Sequence, residues 1–462
     1  MKLVKQITAV AVSALMISSC IKVEVGDEYN YPPDGTDSTS KVLNGTIDQS
    51  RTLAAGVYTL KGYVYVNNGA TLTIEPGTII KSDVADKGAL IIERGSKLIA
   101  DGRPDAPIIF TSGKAAGERQ PGDWGGIILL GKAPTNRPTS PAPIIEGGIG
   151  RPYGGTDPND NSGILRYVRV EFSGIAAEPG SEINGITFGG VGAGTIIENV
   201  QVSYGGDDAY EFFGGTVNCK NLVAFGTMDD DYDFDFGYTG KIQYAVSLRD
   251  KPADTDQANG IECDNDGSGT QTEPFTRPQL SNLTLIGPYD TTGSSANHGY
   301  SNRWRRSTRF VLRNSLLIGH RKAGFSMESK ETAQAYKDGL SEFMDNIIAV
   351  YKNPYYTSED KKDGSGNPAP DPASTVFTAA QLQAFAAAQG NTVLPSRDDV
   401  QLTDPFNLNA PNFLPKAGSP ALTGGNFTGM DVFFTPTTFR GAFGTTNWME
   451  GWTSFNPKNN TY

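Results

Sequence analysis

Acidic side chains recur at a fixed spacing in the middle of the chain. Asp207 and Asp208 lie 22 residues before Asp229 and Asp230, and the short apolar runs that follow them carry further acids. Carboxylate oxygens are the ligands that Ca²⁺ prefers in proteins, and the ion takes roughly six to eight oxygens. We therefore predict a Ca²⁺ site, with these candidate ligands: Asp207, Asp208, Glu211, Asp229, Asp230, Asp233, Asp235, Glu262 and Asp264.

The apolar runs divide into an inner and an outer set of residues, because alternate side chains of a strand point to opposite faces. Aligning the runs predicts two outer columns: Thr187, Glu211, Asp233, Glu262, Ser301 and Ser326 in one, and Gly189, Phe213, Asp235, Asp264, Arg303 and Glu328 in the next. Stacked strands lie about 4.8 Å apart. Carboxylates in one column would repel one another by up to about 4 kcal/mol per pair at an effective dielectric constant of about 20.

Three arrangements would relieve this repulsion. A bound cation would neutralise the acids. Alternatively, raised pKa values would let one carboxyl act as a general acid beside a general base, as in glycosidases. In the third arrangement the carboxylates point into water, accept turn N–H groups or pair with arginines. The residues alone leave all three open, and no catalytic residue is assigned.

A basic cluster follows the acids, at Arg303, Trp304, Arg305 and Arg306. One interpretation is that its arginines are partners of the acids one coil away. The other is that Arg303, Trp304 and Arg305 bind a ligand, either an anionic glycan or an outer-membrane protein. The chain has 2 histidines, so a zinc site with three histidine ligands is excluded.

Repetition indicates the architecture that positions these residues. Two families of short β-type runs alternate along the chain; in one of them Asn199 and Asn221 are 22 residues apart, and Asn282, Asn314 and Asn346 follow at intervals of 32. No amphipathic helix lies between the repeats, which excludes a sheet built from β-α-β units. The pattern predicts an all-β protein, a parallel β-helix in which each repeat forms one coil of a solenoid.

The first residues are typical of an exported lipoprotein. Lys2 and Lys5 precede an apolar run, and the sequence Ile-Ser-Ser-Cys ends at Cys20. This predicts a signal peptide at residues 1–19 and lipidation of Cys20. Residues 20–41 are predicted to be a flexible tether that joins the anchor to the folded body. The membrane contact would be through the lipid alone, since no further apolar stretch is long enough to span a bilayer.

Three further regions are predicted from composition and periodicity. The β-helix occupies residues 42–352, and residues 353–400 form a loop insertion with one short helix at 378–388. Residues 401–462 are rich in aromatic side chains and are predicted to form a C-terminal cap over the open end of the solenoid. The net charge of −12 over 462 residues excludes a duplex nucleic acid as a partner.

Several phrases of the sequence resemble a known family. The phrases are IEPGTIIKSD, GSKLIADGRPDAPIIFTSG, GDWGGIILLGKAPTN, ENVQVSYGGDDAYEFFGGTVNCKNL and FRGAFGTTNWMEGWTSFNP. They resemble lipoproteins of Bacteroidota-type bacteria with a right-handed parallel β-helix, within the pectin-lyase-like superfamily. The resemblance implies the fold and a lipid anchor in the outer membrane, with the body at the cell surface, but no activity.

The predicted function follows from the acids together with this resemblance. We expect an outer-membrane-anchored protein that binds a glycan or an envelope protein and holds Ca²⁺. One alternative is a Ca²⁺-dependent polysaccharide lyase or a glycoside hydrolase that uses the same carboxylates. Lyases of the superfamily pair acid-bound Ca²⁺ with a Lys or Arg base, for which Arg303, Arg305, Arg306 and Lys322 are candidates. A further alternative is an accessory subunit of an outer-membrane transport or assembly complex.

Overall fold

A computed structural model describes residues 41–178, 181–254, 257–288, 292–357 and 372–462. The predicted signal peptide, the lipidation site at Cys20 and most of the predicted tether lie outside the described residues. The first described strand begins at Val42, where the sequence predicts the β-helix to begin.

The described chain winds into a right-handed parallel β-helix with three sheets, here named A, B and C. Sheet A contains residues 63–66 of the strand Val57–Val66, followed by Ala89–Ile92, Ile127–Leu130, Ile186–Gly189, Tyr210–Phe213, Tyr232–Asp235, Ile261–Cys263, Tyr300–Trp304, Ala323–Met327 and Asn353–Thr357. Each of these strands pairs in parallel with the next, which confirms the predicted fold class.

Sheets B and C share long strands that bend from one sheet into the other. The shared strands are Gly163–Glu171, Ile196–Ser203, Asn218–Phe225, Lys241–Leu248 and Gln279–Ile286. Sheet B also contains Arg51–Leu53, Thr71–Ile74, Lys97–Asp101, Val311–Arg313 and Glu342–Met344. Sheet C also contains Ile79–Ser82, Ile108–Ser112, Leu316–Ile318, Ile347–Ala349 and Thr392–Val393. Val42–Ile47 pairs with Val57–Val66.

The bend between sheets B and C explains the repeated asparagines. Asn199, Asn221, Asn282 and Asn314 occupy the corner with φ between 54° and 60°. This left-handed conformation is costly for most side chains but tolerated by asparagine, whose short polar side chain bonds locally. In the following coil Asp345 takes the corner with φ 57°, so the equivalent position is one residue before Asn346.

The interior is filled by side chains that stack from coil to coil. Phe188 lies 4.6 Å from Phe212 and Phe212 lies 5.1 Å from Phe234, measured between ring centroids. Tyr210 and Tyr232 stack at 5.4 Å, and each donates its hydroxyl to backbone carbonyls of the sheet B and C strands. The predicted inner positions of these runs are confirmed.

The register of one coil differs from the predicted alignment. The sequence alignment placed Ser301 level with Glu262, whereas the structure pairs Arg303 with Glu262 and Trp304 with Cys263. The connection from the strand at Ile261 is longer than those of the preceding coils, so spacing did not determine the register. Trp304 occupies the inner position, where its ring stacks on Phe310 at 4.3 Å.

Two helices accompany the final coils. Helix α1, Lys330–Lys337, was not predicted; helix α2, Ala379–Ala387, lies within the predicted 378–388. The prediction that residues 353–400 form a loop insertion is wrong at its start, because Asn353–Thr357 is a strand of sheet A. Leu382 and Ala386 of α2 pack on the interior core. This helix, rather than the C-terminal region, covers the apolar end of the solenoid.

The C-terminal segment, residues 401–462, lies along the outer face of sheet C. The prediction that it covers the open end is therefore wrong, although it does pack on the β-helix. Its Phe413, Phe443 and Trp452 cover outward apolar residues of the sheet such as Phe225 and Leu248. The segment includes a two-stranded antiparallel pair, Leu402–Asp404 with Asn412–Pro415.

A second covering segment lies over the first coils of sheet A. Residues 132–162 contribute Ile145, Ile149 and Tyr153, which pack on outward residues of the sheet such as Ile128 and Leu130. A short hairpin, Ala176–Glu178 with Ser181–Glu182, follows. Neither of the described helices has the length and apolarity of a membrane-spanning segment.

Candidate functional site

The predicted acids gather on the outer face of sheet A and the turns that lead into it. The sheet pairs Thr187 with Glu211, Glu211 with Asp233 and Asp233 with Glu262. Oxygens of Asp207, Asp208 and Asp229 lie within 4.8 Å of one another, and so do oxygens of Asp208, Glu211 and Asp233. The two groups share Asp208. The spacing of 22 residues therefore predicted the stacking correctly.

Backbone N–H groups hold part of this arrangement in place. Asp208 accepts a hydrogen bond from the N–H of Asp230 at 2.8 Å, and Asp230 accepts one from the N–H of Asn259. Each bond joins one coil to the next. Two of the acids thus serve as turn acceptors, which is one of the arrangements that the sequence left open.

Two buried carboxylate oxygens in the cluster have no hydrogen-bond partner. They are Oδ1 of Asp229 and Oδ1 of Asp233, one in each of the two groups. A buried acceptor without a partner costs about 1–3 kcal/mol, and more when it is charged. No described lysine or arginine forms an ion pair with Asp207, Asp208, Glu211, Asp229, Asp230 or Asp233. When these acids are ionised, no described lysine or arginine pairs with their negative charge.

Sequence reasoning missed Glu146 and Asn184. The Asn184 amide donates to Glu146 at 3.0 Å and also to Glu211. Burial raises the pKa of both Glu146 and Glu211, and the charge of Glu146 raises the pKa of Glu211 further. Glu146 comes from the covering segment at residues 132–162, far from the repeats in sequence, so no periodic signal marks it. Asn184 lies two residues before the strand that begins at Ile186. An asparagine by itself does not indicate a binding or catalytic site.

Burial and mutual repulsion raise the pKa values of this cluster. Desolvation, followed by the charges of Glu146 and Glu182, raises the pKa of Asp207 to about 8. The pKa values of Asp208, Glu211 and Asp233 lie well above their usual range, first through burial and then through neighbouring carboxylates. The same holds for Asp229 and Asp230, although the nearby Arg249 opposes the rise in pKa. Without a cation the cluster must therefore retain protons near neutral pH.

The adjoining acids are neutralised by arginines instead. Arg303 lies 2.9 Å from Glu262 and 2.6 Å from Glu328, and Arg305 and Arg306 each lie 2.7 Å from Asp264. Although burial raises the pKa of Asp264, the three arginines hold it below its usual range. The predicted cation ligands Glu262 and Asp264 are thus engaged as ion-pair partners. This follows from the corrected register, which places Arg303 directly on Glu262.

Asp235 lies between the two halves of the face. Its Oδ1 accepts the N–H of Phe236 at 2.6 Å, so one oxygen is already used within the turn. Burial and then the charge of Asp264 raise its pKa well above the usual range, while Arg305 opposes the rise. Neither of the two groups of mutually close carboxylates includes Asp235.

The basic cluster does not present the predicted ligand-binding surface. Trp304 is 0% exposed and belongs to the interior, which rules it out as a ligand contact. Burial and repulsion by Arg305 lower the pKa of Arg303. The opposite effect of Glu328 and Glu262 is larger, so the pKa of Arg303 lies above its usual range. The pKa of Arg305 is raised in the same way. Neither guanidinium is therefore suited to act as a base in a lyase mechanism.

A buried arginine supports the acidic turns from inside. Arg249 pairs with Asp231 at 2.9 Å, and both side chains are 0% exposed. Its guanidinium donates to the carbonyls of Asn259, Thr227 and Asp229, which belong to the turns that carry the acids. It also donates to Nδ1 of His298 at 3.3 Å. Sequence reasoning did not single out Arg249, because a lone arginine at a strand end has no distinctive pattern.

One of the two histidines of the chain belongs to this internal network. His298 is buried, and its Nε2 lies 3.0 Å from the carbonyl of Lys251. Burial and then Arg249 lower its pKa to about 4. His298 is therefore neutral at physiological pH and holds the turn rather than contributing to the acidic face.

The geometry can be compared with known proteins. A family model described as "Pectate-lyase like beta helix domain" matches residues 45–394. The chain belongs to this family. The match includes every strand of the acidic face, so the pectate-lyase-like β-helix domain is the part of the chain that carries the site.

Two further comparisons add little to the site. One solved structure, a crystal structure of pectate lyase Pel9A, matches with a TM-score of 0.34 and 10% sequence identity, over 88% of this chain and 87% of that chain. No curated protein matches. The family membership determines the fold, whereas the function depends on the residues of the acidic face.

Proposed function

We propose that the acidic face of this β-helix binds Ca²⁺, and through the ion binds an anionic glycan. The observation that supports the proposal is the pair of buried, unpartnered oxygens of Asp229 and Asp233, one in each carboxylate group around Asp208. Carboxylate oxygens suit a hard cation such as Ca²⁺, and a bound ion would neutralise charge that the described side chains leave uncompensated. The ligands would be Asp207, Asp208, Glu211, Asp229 and Asp233.

An anionic glycan is the ligand that suits such an ion. Ca²⁺ takes more oxygens than one carboxylate group of three residues offers as single ligand atoms, and external oxygens can complete its coordination. The carboxylates of a uronic-acid chain are suitable donors, whereas an acidic face without an ion would repel them. The rigid face of a solenoid provides an extended surface for such a chain.

The cellular setting is proposed from the amino-terminal sequence. The protein would be anchored in the outer membrane by a lipid on Cys20, with the β-helix at the cell surface. An envelope protein is the alternative to a glycan as the natural partner. Replacing Cys20 by serine should move the protein from the membrane fraction to the soluble fraction, and unchanged membrane association would contradict the anchor.

Catalysis is the second candidate function. The contact of Glu146 and Glu211 with the same Asn184 amide favours it, because two neighbouring carboxyl groups can act as general acid and general base. The reaction would be Ca²⁺-dependent glycan elimination or hydrolysis. A Glu146→Gln variant should keep glycan binding and lose turnover of polygalacturonate, measured as the release of new chain ends. If the unaltered protein releases no chain ends, this candidate fails.

An accessory role in a transport complex would be indicated by copurification with an outer-membrane protein.

The cation proposal is tested by thermal unfolding and calorimetry of the full chain. After treatment with EDTA, added Ca²⁺ should raise the unfolding temperature, and titration should give a defined stoichiometry. Asp208→Asn keeps the acceptor for the N–H of Asp230 but removes the shared charge, and should abolish the Ca²⁺ effect. Asp105→Asn, at an exposed ion pair away from the face, is the matched control. An equal Ca²⁺ response of both variants would overturn the proposal.

A further inference from the structure

An aromatic side chain lies on the same outer column as the acids, at its far end. The sheet pairs Arg303 with Ser326, and Ser326 with Tyr356. Tyr356 is 37% exposed, whereas Glu211, Arg303 and Ser326 of the column are each 9% exposed or less. The column therefore leads from the carboxylates through the ion-paired arginine to a tyrosine ring that is accessible to solvent.

The ring of Tyr356 is held in place from beneath. It stacks on the ring of Tyr300 with 5.6 Å between centroids and an angle of 26° between planes. Tyr300 is 6% exposed, and the ammonium group of Lys322 lies 5.7 Å from its ring centroid. A supported ring loses little conformational freedom when a ligand packs on it, which favours binding.

The exposed fraction of Tyr356 distinguishes it from the other tyrosines in the region. Tyr355, its neighbour in sequence, is 4% exposed and points into the interior core. Tyr300 contributes support but little accessible surface. Of the three tyrosines, Tyr356 alone has more than a third of its surface exposed.

The position of Tyr356 suits an extended chain. Asp233, Glu262, Arg303, Ser326 and Tyr356 follow one another by strand pairing, which is four steps of about 4.8 Å, or about 19 Å in total. A pyranose unit in a polysaccharide is about as long as one such step. A chain that coordinates a cation near Asp233 would therefore reach Tyr356 with a sugar about four units away.

We propose that Tyr356, supported by Tyr300, is a sugar-stacking subsite for the glycan chain that binds at the acidic face. The C–H face of a pyranose ring packs on aromatic rings, so this subsite selects for chain length rather than for charge. The inference rests on the proposed function, because it takes the cation site as the other anchor of the chain. It adds a specificity-determining residue that lies outside the carboxylate cluster.

The test is calorimetric titration of the full chain, in Ca²⁺, with galacturonate oligomers of two and six units. Tyr356→Ala should weaken binding of the hexamer by about threefold to tenfold, the range expected for loss of a ring-stacking contact. Binding of the dimer should not change. Tyr356→Phe keeps the ring and should bind the hexamer as the unaltered protein does. Melting curves with and without Ca²⁺ confirm that each variant is folded.

The outcomes separate this inference from the proposed function. If the unaltered protein binds the hexamer in Ca²⁺ and Tyr356→Ala binds it equally well, the subsite is refuted while the cation-dependent function stands. The same conclusion follows if Tyr356→Ala weakens the dimer and the hexamer to the same degree. If neither oligomer binds the unaltered protein in Ca²⁺, the proposed glycan function fails and the subsite fails with it.

Discussion

Removing one charge from the acidic cluster should stabilise the protein when no cation is present. Asp207 belongs to the group with Asp208 and Asp229, and its carboxyl has a pKa of about 8. At pH 7 the folded protein must therefore protonate a group that is ionised in the unfolded chain. Asp207→Asn has a similar shape and needs no proton, so this cost disappears.

The size of the effect follows from the pKa. The group is ionised in the unfolded chain above about pH 4, and each pH unit from there to 7 costs the folded state about 1.4 kcal/mol, or about 4 kcal/mol in total. The neighbouring carboxylates share protons with Asp207, so the gain from one substitution should be roughly 1–3 kcal/mol. In saturating Ca²⁺ the sign should reverse, because the variant has lost a ligand.

The assay is urea unfolding at pH 7, once in EDTA and once in Ca²⁺, and the matched control is Asp264→Asn. Asp264 belongs to the same face but is paired with Arg305 and Arg306. Breaking a buried ion pair by removing one partner typically costs about 3–5 kcal/mol, so the control should be destabilised in both buffers. If Asp207→Asn is also destabilised in EDTA and retains the full response to Ca²⁺, the reasoning is refuted.

Two other predictions concern the pH dependence of stability and the buried ion pair of Arg249 with Asp231. In EDTA the free energy of unfolding should fall as pH rises from about 4 towards 8, since the raised pKa of Asp207 means that the folded state holds a proton which the unfolded chain releases. Saturating Ca²⁺ should remove this slope, and a pH-independent stability in EDTA would contradict it. Arg249→Met leaves Asp231 buried without its partner and should cost about 3–5 kcal/mol in urea unfolding. The double variant with Asp231→Asn should recover much of this loss, and an equally unstable double variant would show that packing rather than charge is responsible.

Much of the fold was predictable from the chain because the repeats record it directly. Stacked strands place equivalent residues level with one another, so periodic Phe212 and Phe234 reveal the interior, and periodic asparagines mark the corner between sheets B and C. The stacking of Glu211 on Asp233 follows from the same regularity. Periodicity is informative wherever successive coils have equal length.

The remainder of the site depends on interactions that have no period. The longer connection before Tyr300 shifted the register by two residues, and this shift determines that Arg303 neutralises Glu262. Glu146 reaches the cluster from a covering segment, a tertiary contact that local sequence does not specify. The same register determines which aromatic residues face the interior, as Trp304 does, and which are accessible to solvent, as Tyr356 is.

The C-terminal segment changes how the solenoid holds together. Gly441 donates its N–H to Asn314 near one end of sheet C, while Tyr462 accepts a hydrogen bond from Lys81 near the other end. In an ordinary solenoid each coil depends on its two neighbours, and the ends can fray independently. Here the C-terminal segment contacts coils near both ends of sheet C and so connects coils that are not neighbours.

We expect the C-terminal segment to make the coils that it joins unfold together rather than one at a time. The contact between Lys81 and Tyr462 joins residues 381 positions apart, so it can form only once the last residues of the chain are in place. Contacts of such long range slow folding. A chain cut short before residue 401 would leave outward apolar residues of sheet C, such as Phe225 and Leu248, uncovered. We expect such a fragment to aggregate more readily than the full chain, because exposed apolar patches favour association.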